Sequence, residues 1–428
     1  MDIILKKGIA RQNRVEAISS KSYVHRLLIA SSLCRRPVTV RTNIVSKDME
    51  ATMNAVKMIK EAGPKIIDCN ESGSTARFML PLTALLSPGS TLTGSGKLPE
   101  RPMGPLCDVL RSAGVDVSGD HLPITVNGKP HAGRYEIAGN VSSQFISGLL
   151  FMLPLLEGDS HLTIKGDLES AAYVDMTTDV LSRFGIRIRK TDDGFDIPGS
   201  QRYEYKEEDD EIAAEGDWSN GAYLMTIGAL GCGRVFDCLT VTGLDPESIQ
   251  GDREVIDIFK QFGITVNVDR SPAGRGADIT VAGFPKHPVN IQCPQIPDLV
   301  PALAVTAAFT EGDSIFGNIG RLRMKECDRV EAVKSMLHAI GVKVDITWNG
   351  DVENMTVHGR SRESFADLSN DALLSVDSCN DHRIAMAAAA VAFAVDRPVL
   401  IKDAMAVDKS YPGFYEVIAK LGMDHEGV

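Results

Sequence analysis

At 428 residues, with 43% hydrophobic and 24% charged side chains, the chain is too long for one ordinary core and reads as a globular protein of two domains or one repeat-built body. Its net charge of −12 excludes nucleic acid or an anionic membrane as the general partner, since either calls for a basic footprint, so any anion site must be local. Eight cysteines show neither a CxxC pair nor a histidine at ligand spacing, which speaks against a metal site or a disulfide framework and for buried free thiols.

The opening "MDIILKKGIARQNR" is the reverse of a secretory signal, with its basic residues after a brief apolar stretch, and the longest apolar run, "IAMAAAAVAFAV", is too short to span a bilayer; a cytoplasmic protein is expected. The first predicted helix lies in "ISSKSYVHRLLIASSL", residues 18–33. Its serines can N-cap an apolar body. Lys21 and Arg26, however, sit in the first two turns, where the helix dipole makes a cation cost about 0.3–1 kcal/mol. An anion bound at that end would offset the cost.

Further along, "VKMIKEAGPKI" ends an amphipathic helix at Gly63, "ESGSTARFMLPLTALL" opens an apolar helix with Gly73, Ser74, Thr75 and Arg77, and "LPERPMG" holds Arg101 outside the helices. Then come "DVLRSAGVDV" with Gly114, the strand "LPITVNG", the apolar helix "SSQFISGLLFMLPLL" with Ser142, Ser143 and Gln144, "DVLSRFGIRI" with Gly185, and the strand "GFDIPG". The acidic stretch "YKEEDDEIAAEGD", residues 205–217, is expected to be a solvated loop or strand edge, with a chain crossing between domains near its end.

Beyond it the pattern resumes with "GDWSNGAYLMTIGAL" (Asp217, Ser219), "DIFKQFGITV" (Gly263), the strand "ADITVAG", and "IPDLVPALAVTAAF" (Asp298). It continues through "RLRMKECDRV" (Arg321, Arg323, Lys325, Glu326, Asp328, Arg329), "SMLHAIGVKV" (Gly341), the strand "NMTVHG", "NDHRIAMAAAAVAF" (Asn380, Asp381, His382, Arg383), "VDKSYPGF" (Lys409) and "EVIAKLGMDH" (Gly422). Two series therefore interleave six times. Helices apolar all round must be buried. Amphipathic helices end in a glycine suited to the left-handed C′ position. Six units divide into two domains of three.

Singly, an arginine near a helix start reads as a surface residue, a serine pair as an N-cap, and His25 or His382 as a packing residue. The recurrence carries the case: cations, hydroxyls and a glycine turn repeatedly occupy N-termini of helices too apolar to be exposed. Such N-termini are the components of a phosphate and carboxylate site. Two carboxylates in that company, Asp298 and Glu326, are costly unless they handle protons. No metal set, no nucleophile with a paired histidine and no P-loop is present, so acid–base chemistry between bound anions remains.

In chain order, "SKSYVHR", "SGSTARF", "ERPMG", "SSQF", "IPD", "MKECDR", "NDHR" and "DKSYP" closely resemble the motifs of the 5-enolpyruvylshikimate-3-phosphate synthase family of enolpyruvyl transferases, over nearly the whole chain. The resemblance implies an α/β fold of two similar domains, each of three repeated βαβαββ units with buried parallel helices, an inside-out α/β barrel. Residues 20–214 would form the N-terminal domain and residues 1–19 with 215–428 the C-terminal one, with the active site in the cleft between them. It also implies transfer of the enolpyruvyl group of phosphoenolpyruvate to the 5-hydroxyl of shikimate 3-phosphate with release of phosphate, in the shikimate pathway toward chorismate and aromatic amino acids, without a cofactor or metal.

Matched motif by motif, the catalytic residues are Lys21, Asp298 and Glu326. Shikimate 3-phosphate falls to Lys21, Ser22, Arg26, Ser142, Ser143, Gln144, Ser170, Tyr173, Asp298 and Lys325. Phosphoenolpyruvate falls to Lys21, Gly73, Arg101, Gln144, Arg329, Arg383 and Lys409. Glu71 and Arg321 stand where family members use asparagine and are left out of the site. A monomer is expected, acting on small molecules and on neither nucleic acid nor membrane, with glyphosate a candidate inhibitor.

The sibling that transfers enolpyruvate to UDP-N-acetylglucosamine has a Lys-Asn start and a reactive cysteine just before an Arg-Pro pair; here Ser22 follows Lys21, and "GSGKLPERP" holds no cysteine. An RNA 3′-phosphate cyclase would want a nucleophilic histidine and a basic face. A noncatalytic anion-binding protein would bind without turnover.

Overall fold

The computed structural model describes residues 1–270, 276–368 and 373–428. Its α-helices are α1 (Lys21–Leu33), α2 (Lys47–Met58), α3 (Gly73–Leu86), α4 (Gly104–Ser112), α5 (Ser143–Met152), α6 (Ala171–Arg183), α7 (Trp218–Gly231), α8 (Val255–Gln261), α9 (Val300–Ala308), α10 (Arg329–Ala339), α11 (His382–Ala394) and α12 (Phe414–Lys420). The odd-numbered helices are the apolar series and the even-numbered ones the amphipathic series. Every residue of α7, α9 and α11 is buried. Gln144 alone in α5 escapes, and in α3 Ser74 escapes near the N-terminus, so the polar exceptions fall where a ligand would be met. Among the described residues no helix is long and apolar enough to cross a membrane.

Five of the six glycines stand at C′: Gly114, Gly185, Gly263, Gly341 and Gly422, all at positive φ. At four of them the next residue closes the helix in a Schellman arrangement, as where the Val342 N–H donates to the Leu337 carbonyl at 3.0 Å. Those next residues, Val115, Ile186, Ile264 and Val342, are buried and hand the chain to its strand. Gly63 differs from the expectation. Helix α2 stops at the Ile59 cap, and two tight turns (Lys60 N–H to Lys57, Glu61 N–H to Met58) unwind the chain before the glycine, which takes φ +79° in the loop.

The chain splits into two compact units, one of Ser19–Ala214 and one of Met1–Ile18 with Glu215–Val428. Ser19 falls with the first because its backbone N–H and its hydroxyl both meet Asn43 Oδ1, at 2.7 and 3.1 Å. Among the described residues the sheets are open, with linear strand orders, rather than closed into a barrel. The strand before a buried helix pairs parallel with the strand after it, and an antiparallel hairpin extends the sheet. Asn290–Gln292 beside Gly312–Gly317 is one such pair, with buried Ile291 opposite buried Phe316.

Two units break this order by exchanging strands. Arg14–Glu16 precedes α1 but pairs with Cys238–Leu244, which follows α7. Glu211–Ala213 precedes α7 but pairs with Thr39–Arg41, which follows α1. The last sheet takes an inner strand from the far end of the chain: Ile3–Lys7 lies between Val399–Lys402 and Met423–Gly427. Of the acidic stretch, residues 206–211 are exposed, Glu211–Ala213 is the exchanged strand, and Asp217 is the buried N-cap of α7.

Candidate active site

In the unit Ser19–Ala214, the N-termini of α1, α3 and α5 are capped by Ser20, Ser72 and Ser142. Lys21 meets a carboxylate of the protein itself, Asp48 Oδ2 on α2, at 2.9 Å, so part of the cation cost foreseen from the sequence is offset internally. Arg26 is buried and tied to three helices. Its Nε donates to Thr177 Oγ1 at 2.8 Å, its Nη1 to the Ser22 carbonyl at 2.7 Å, and its Nη2 to the Tyr173 carbonyl at 2.7 Å and Ser147 Oγ at 3.4 Å, while the guanidinium stacks over Phe78. Burial pulls its pKa down to about 10, which leaves it charged at neutral pH. It thereby fixes the backbone at Ser22 and Tyr173, two of the matched positions.

Behind these N-termini runs a buried ladder from His25 Nδ1 to Thr52 Oγ1 (2.6 Å), on to Thr75 Oγ1 (2.6 Å) and to Ser72 Oγ (2.7 Å). Burial, helped by Lys21 and Arg26, holds the imidazole well below its usual pKa, so His25 is neutral, and its Nε2 has no hydrogen-bond partner among the described residues. Gln144 joins α5 to α3, donating to Ser74 Oγ at 2.8 Å and accepting from Arg77 Nη1 at 2.6 Å. The helices come that close because α5 carries Gly148, where a Cβ would lie 2.4 Å from the Arg77 carbonyl oxygen. Gly73 opens α3 against Arg101: a Cβ there would meet Arg101 Nη1 at 2.7 Å. Ser143 is buried one residue inside α5, and Ser170 takes φ +54° where it caps α6.

In the other unit, Asp298 just before α9 is caged by three cations. Arg329 Nη1 lies 2.8 Å and Lys325 Nζ 3.4 Å from its Oδ1, and Arg383 Nη2 lies 3.5 Å from its Oδ2. Burial alone would push this carboxyl up, but Lys325, Arg383 and Arg329 hold it well below the usual carboxylate range, so it stays ionised. Arg329, the first residue of α10, also forks onto Asp381, the N-cap of α11, at 2.7 and 3.2 Å. Arg383 is buried over the Tyr223 ring, and its Nε and Nη1 have no hydrogen-bond partner among the described residues. Glu326 meets His382 Nδ1 at 2.8 Å and keeps 19% of its side chain exposed. Lys409 Nζ donates to the Asn380 carbonyl at 2.7 Å. Glu326, Asp381 and His382 could each turn one ligand atom toward a metal ion. The Asp381 oxygens already accept from Arg329 and from the Arg383 N–H, an arrangement that fits an ion-pair network better than a metal centre.

The model of the family EPSP synthase (3-phosphoshikimate 1-carboxyvinyltransferase) matches residues 6–418. The chain belongs to the EPSP synthase family. The 3-phosphoshikimate 1-carboxyvinyltransferase of Clostridium kluyveri is 38% identical over 96% of this chain and 95% of its own, and that of Brachyspira hyodysenteriae 34% identical over 94% of each. The fold is that of the EPSP synthase of Acinetobacter baumannii (TM-score 0.76, 20% identity, all of both chains). It is also that of the enolpyruvyl transferase NikO from Streptomyces tendae (TM-score 0.71, 15% identity, 99% of this chain and 98% of that one).

Three carboxylates escaped the motif reading of this EPSP synthase family member. Asp48 lies in an ordinary amphipathic helix. Glu353 lies within a strand and is buried against Arg323. Asp252 is buried against Ser219 Oγ, and burial with Asp298 nearby pushes its carboxyl up to about 7. The glycine-flanked "QGD" and the lone glutamate of "DVENMTVHG" were the available signals, and neither stands out without its partner.

Proposed function

We propose that the chain transfers the enolpyruvyl group of phosphoenolpyruvate to the 5-hydroxyl of shikimate 3-phosphate and releases phosphate. Family membership supports the reaction. The observation that carries the chemistry is the Asp298 cage beside the Glu326–His382 pair: an ionised carboxylate amid three cations, one of them an arginine with two uncommitted guanidinium nitrogens. Arg383, Arg329, Lys409, Arg101 and Gly73 supply charge and close approach for phosphoenolpyruvate. Ser22, Ser142, Ser143, Gln144, Ser170, Tyr173 and Lys325 serve shikimate 3-phosphate, with Lys21 serving both and Arg26 holding its neighbours in place.

Asp298, kept ionised, accepts the proton of the 5-hydroxyl as that oxygen adds to C2, and the proton departs with the phosphate as the C2–O bond to it breaks, which returns Asp298 to its ionised form. Glu326, with His382 as its proton partner, delivers a proton to C3 and takes one back as phosphate leaves. Cations around the developing charge and fixed positioning supply the rest. The two sets lie in different units, and the reaction needs both. The enzyme works as a monomer in the cytoplasm, for which eight unpaired cysteines are suited, and glyphosate competes at the phosphoenolpyruvate subsite.

The test is phosphate release from phosphoenolpyruvate with shikimate 3-phosphate against the same assay with UDP-N-acetylglucosamine. Release with the first acceptor alone is expected; release with only the second overturns the proposal.

A further inference from the structure

Lys325 and Glu326 stand on a loop, an unpromising support for groups that must be held to fractions of an ångström. The structure shows what steadies it. Before the loop, a 3-10 turn spans Gly320–Met324; after it, α10 begins with Asp328 as its N-cap, Oδ1 accepting from the Val330 and Glu331 N–H groups at 3.1 and 3.2 Å. A single guanidinium joins the two ends. Arg323 Nη1 donates to Asp328 Oδ2 at 2.6 Å, while Arg323 Nε lies 2.9 and 3.0 Å from the two oxygens of Glu353, and Nη2 bonds to Glu353 as well.

Glu353 is on the strand Val352–Gly359, and its side chain is 0% exposed. The same strand receives the entry to the turn, with the Ile319 N–H donating to the Glu353 carbonyl at 2.8 Å and the Asn318 N–H to Asn354 Oδ1 at 3.1 Å. Residues 324–327 are therefore a short span whose two ends are pinned to one sheet through one planar fork.

Burying a carboxylate in a strand needs a reason, because an apolar residue of similar volume often serves stability as well or better. The fork geometry supplies one. Arginine meets a carboxylate along two fixed directions, so a buried Glu353 sets the orientation of Arg323, and Arg323 in turn sets where the loop begins and ends. We propose that Glu353 and Arg323 are positioning residues for the reaction, a clamp that holds Lys325 against Asp298 and Glu326 against His382. The proposal rests on the reading above that Glu326 moves a proton.

Glu353→Gln keeps the shape and removes the charge, and Arg323→Lys keeps the charge and removes the fork. The Arg323 side chain is 31% exposed and retains Asp328 and Glu331 nearby, so Glu353→Gln strands no fully buried charge, while in Arg323→Lys an ammonium still faces the buried Glu353 and the fold of that variant is checked before its kinetics are read. Each should lower kcat by about 10- to 100-fold, the scale of a misplacement near 1 Å, and raise the KM for shikimate 3-phosphate through Lys325, with the KM for phosphoenolpyruvate within about threefold of the parent. In a Glu326→Gln background, Glu353→Gln should lower kcat by less than about threefold, because the group it positions is already disabled. An equal loss in both backgrounds, or parental kcat in both folded single variants, overturns the clamp. Amide hydrogen exchange over 324–328, measured without substrate, should quicken in Glu353→Gln, and unchanged exchange also overturns it. Parental kcat in Glu326→Gln alone would instead refute the role of Glu326, with the exchange measurement still deciding the clamp.

Discussion

Asp298→Asn keeps the size of the side chain and deletes the charge at the centre of the cage. With an effective dielectric near 20, unit charges at the observed 2.8, 3.4 and 3.5 Å attract by about 6, 5 and 5 kcal/mol, set against a desolvation penalty of several kcal/mol for each buried ion. Breaking such a buried arrangement costs about 3–5 kcal/mol in practice. Arg329 keeps Asp381, so the loss falls chiefly on Arg383 and Lys325. At about 2–4 °C per kcal/mol for a domain of this size, Tm should fall by about 6–20 °C.

The kinetic signature is separate. Loss of a positioned base should lower kcat by about 10²–10⁴. The KM for phosphoenolpyruvate should hold or fall, because Arg383 loses a competing anion. Steady-state phosphate release on variant protein folded at the assay temperature reads both constants. A kcat within about threefold of the parent refutes the acid–base assignment, and a raised KM with kcat kept would mean that Asp298 only balances charge. The depressed pKa also has a sign: Asp298 contributes stability above the unfolded carboxylate value of about 3.9 and loses it as pH falls through its own lower value, so the parent's advantage over the asparagine variant should shrink on acidification.

Gly73→Ala places a methyl 2.7 Å from Arg101 Nη1 and must displace that guanidinium, so the KM for phosphoenolpyruvate should rise by about tenfold, the worth of one weakened charged hydrogen bond, while that for shikimate 3-phosphate stays nearly constant; equal weakening of both would contradict it. Hydrogen bonds to Asp196 and then Asp193 raise the pKa of His161, and those to Asp345 and then Asp313 raise that of His358, so both clasps stabilise fully below about pH 6.5 and fade as pH rises through the raised values. Each is partly exposed and contributes about 0.2–1 kcal/mol at most, so Tm should drop modestly from pH 6 to pH 9 and less so in His161→Gln/His358→Gln; an identical slope in the variant counts against this. Gly63→Ala meets nothing within 4 Å yet sits at φ +79°, so a denaturant melt should show a loss of about 1–2 kcal/mol from backbone strain alone, and parental stability would contradict the left-handed conformation.

The buried helices were legible because hydrophobic pattern reports burial directly: "GDWSNGAYLMTIGAL", apolar all round beyond its polar first turn, has nowhere to go but inside. Five glycines were legible because a left-handed cap is a local need. Gly63 misled because the same letters also serve a loop that follows an early helix end. Pairing was not legible. Nothing in "RVE" or "EIA" says that the two strands have exchanged places, since alternation reports which side a residue faces and not which strand lies beside it. Lys21 signalled an anion, and a carboxylate of the protein stands beside it, because a dipole argument names a charge without naming its owner. The Asp298 cage could be assembled from motifs only because Asp298, Lys325, Arg329 and Arg383 each stood in a recognisable run, while Glu353 had no such run to mark it.

The placement of Ile3–Lys7 between two strands from the last thirty residues sets an order in time. At about 5–20 residues per second, a ribosome delivers those partners roughly 20–80 s after the N-terminal strand has been made. All of Ser19–Ala214 is contiguous and emerges in that interval, whereas the unit bearing Asp298 and Glu326 cannot complete its last sheet until residues 423–427 have been made. Throughout, Ile3 and Leu5 have no sheet to enter, and the charged Lys6 and Lys7 next to them are the kind of residue that discourages pairing with a stranger's edge. A product cut short before residue 399 therefore leaves Ile3–Lys7 as a sticky strand with no partner, and synthesis through Gly427 is the condition for its concealment.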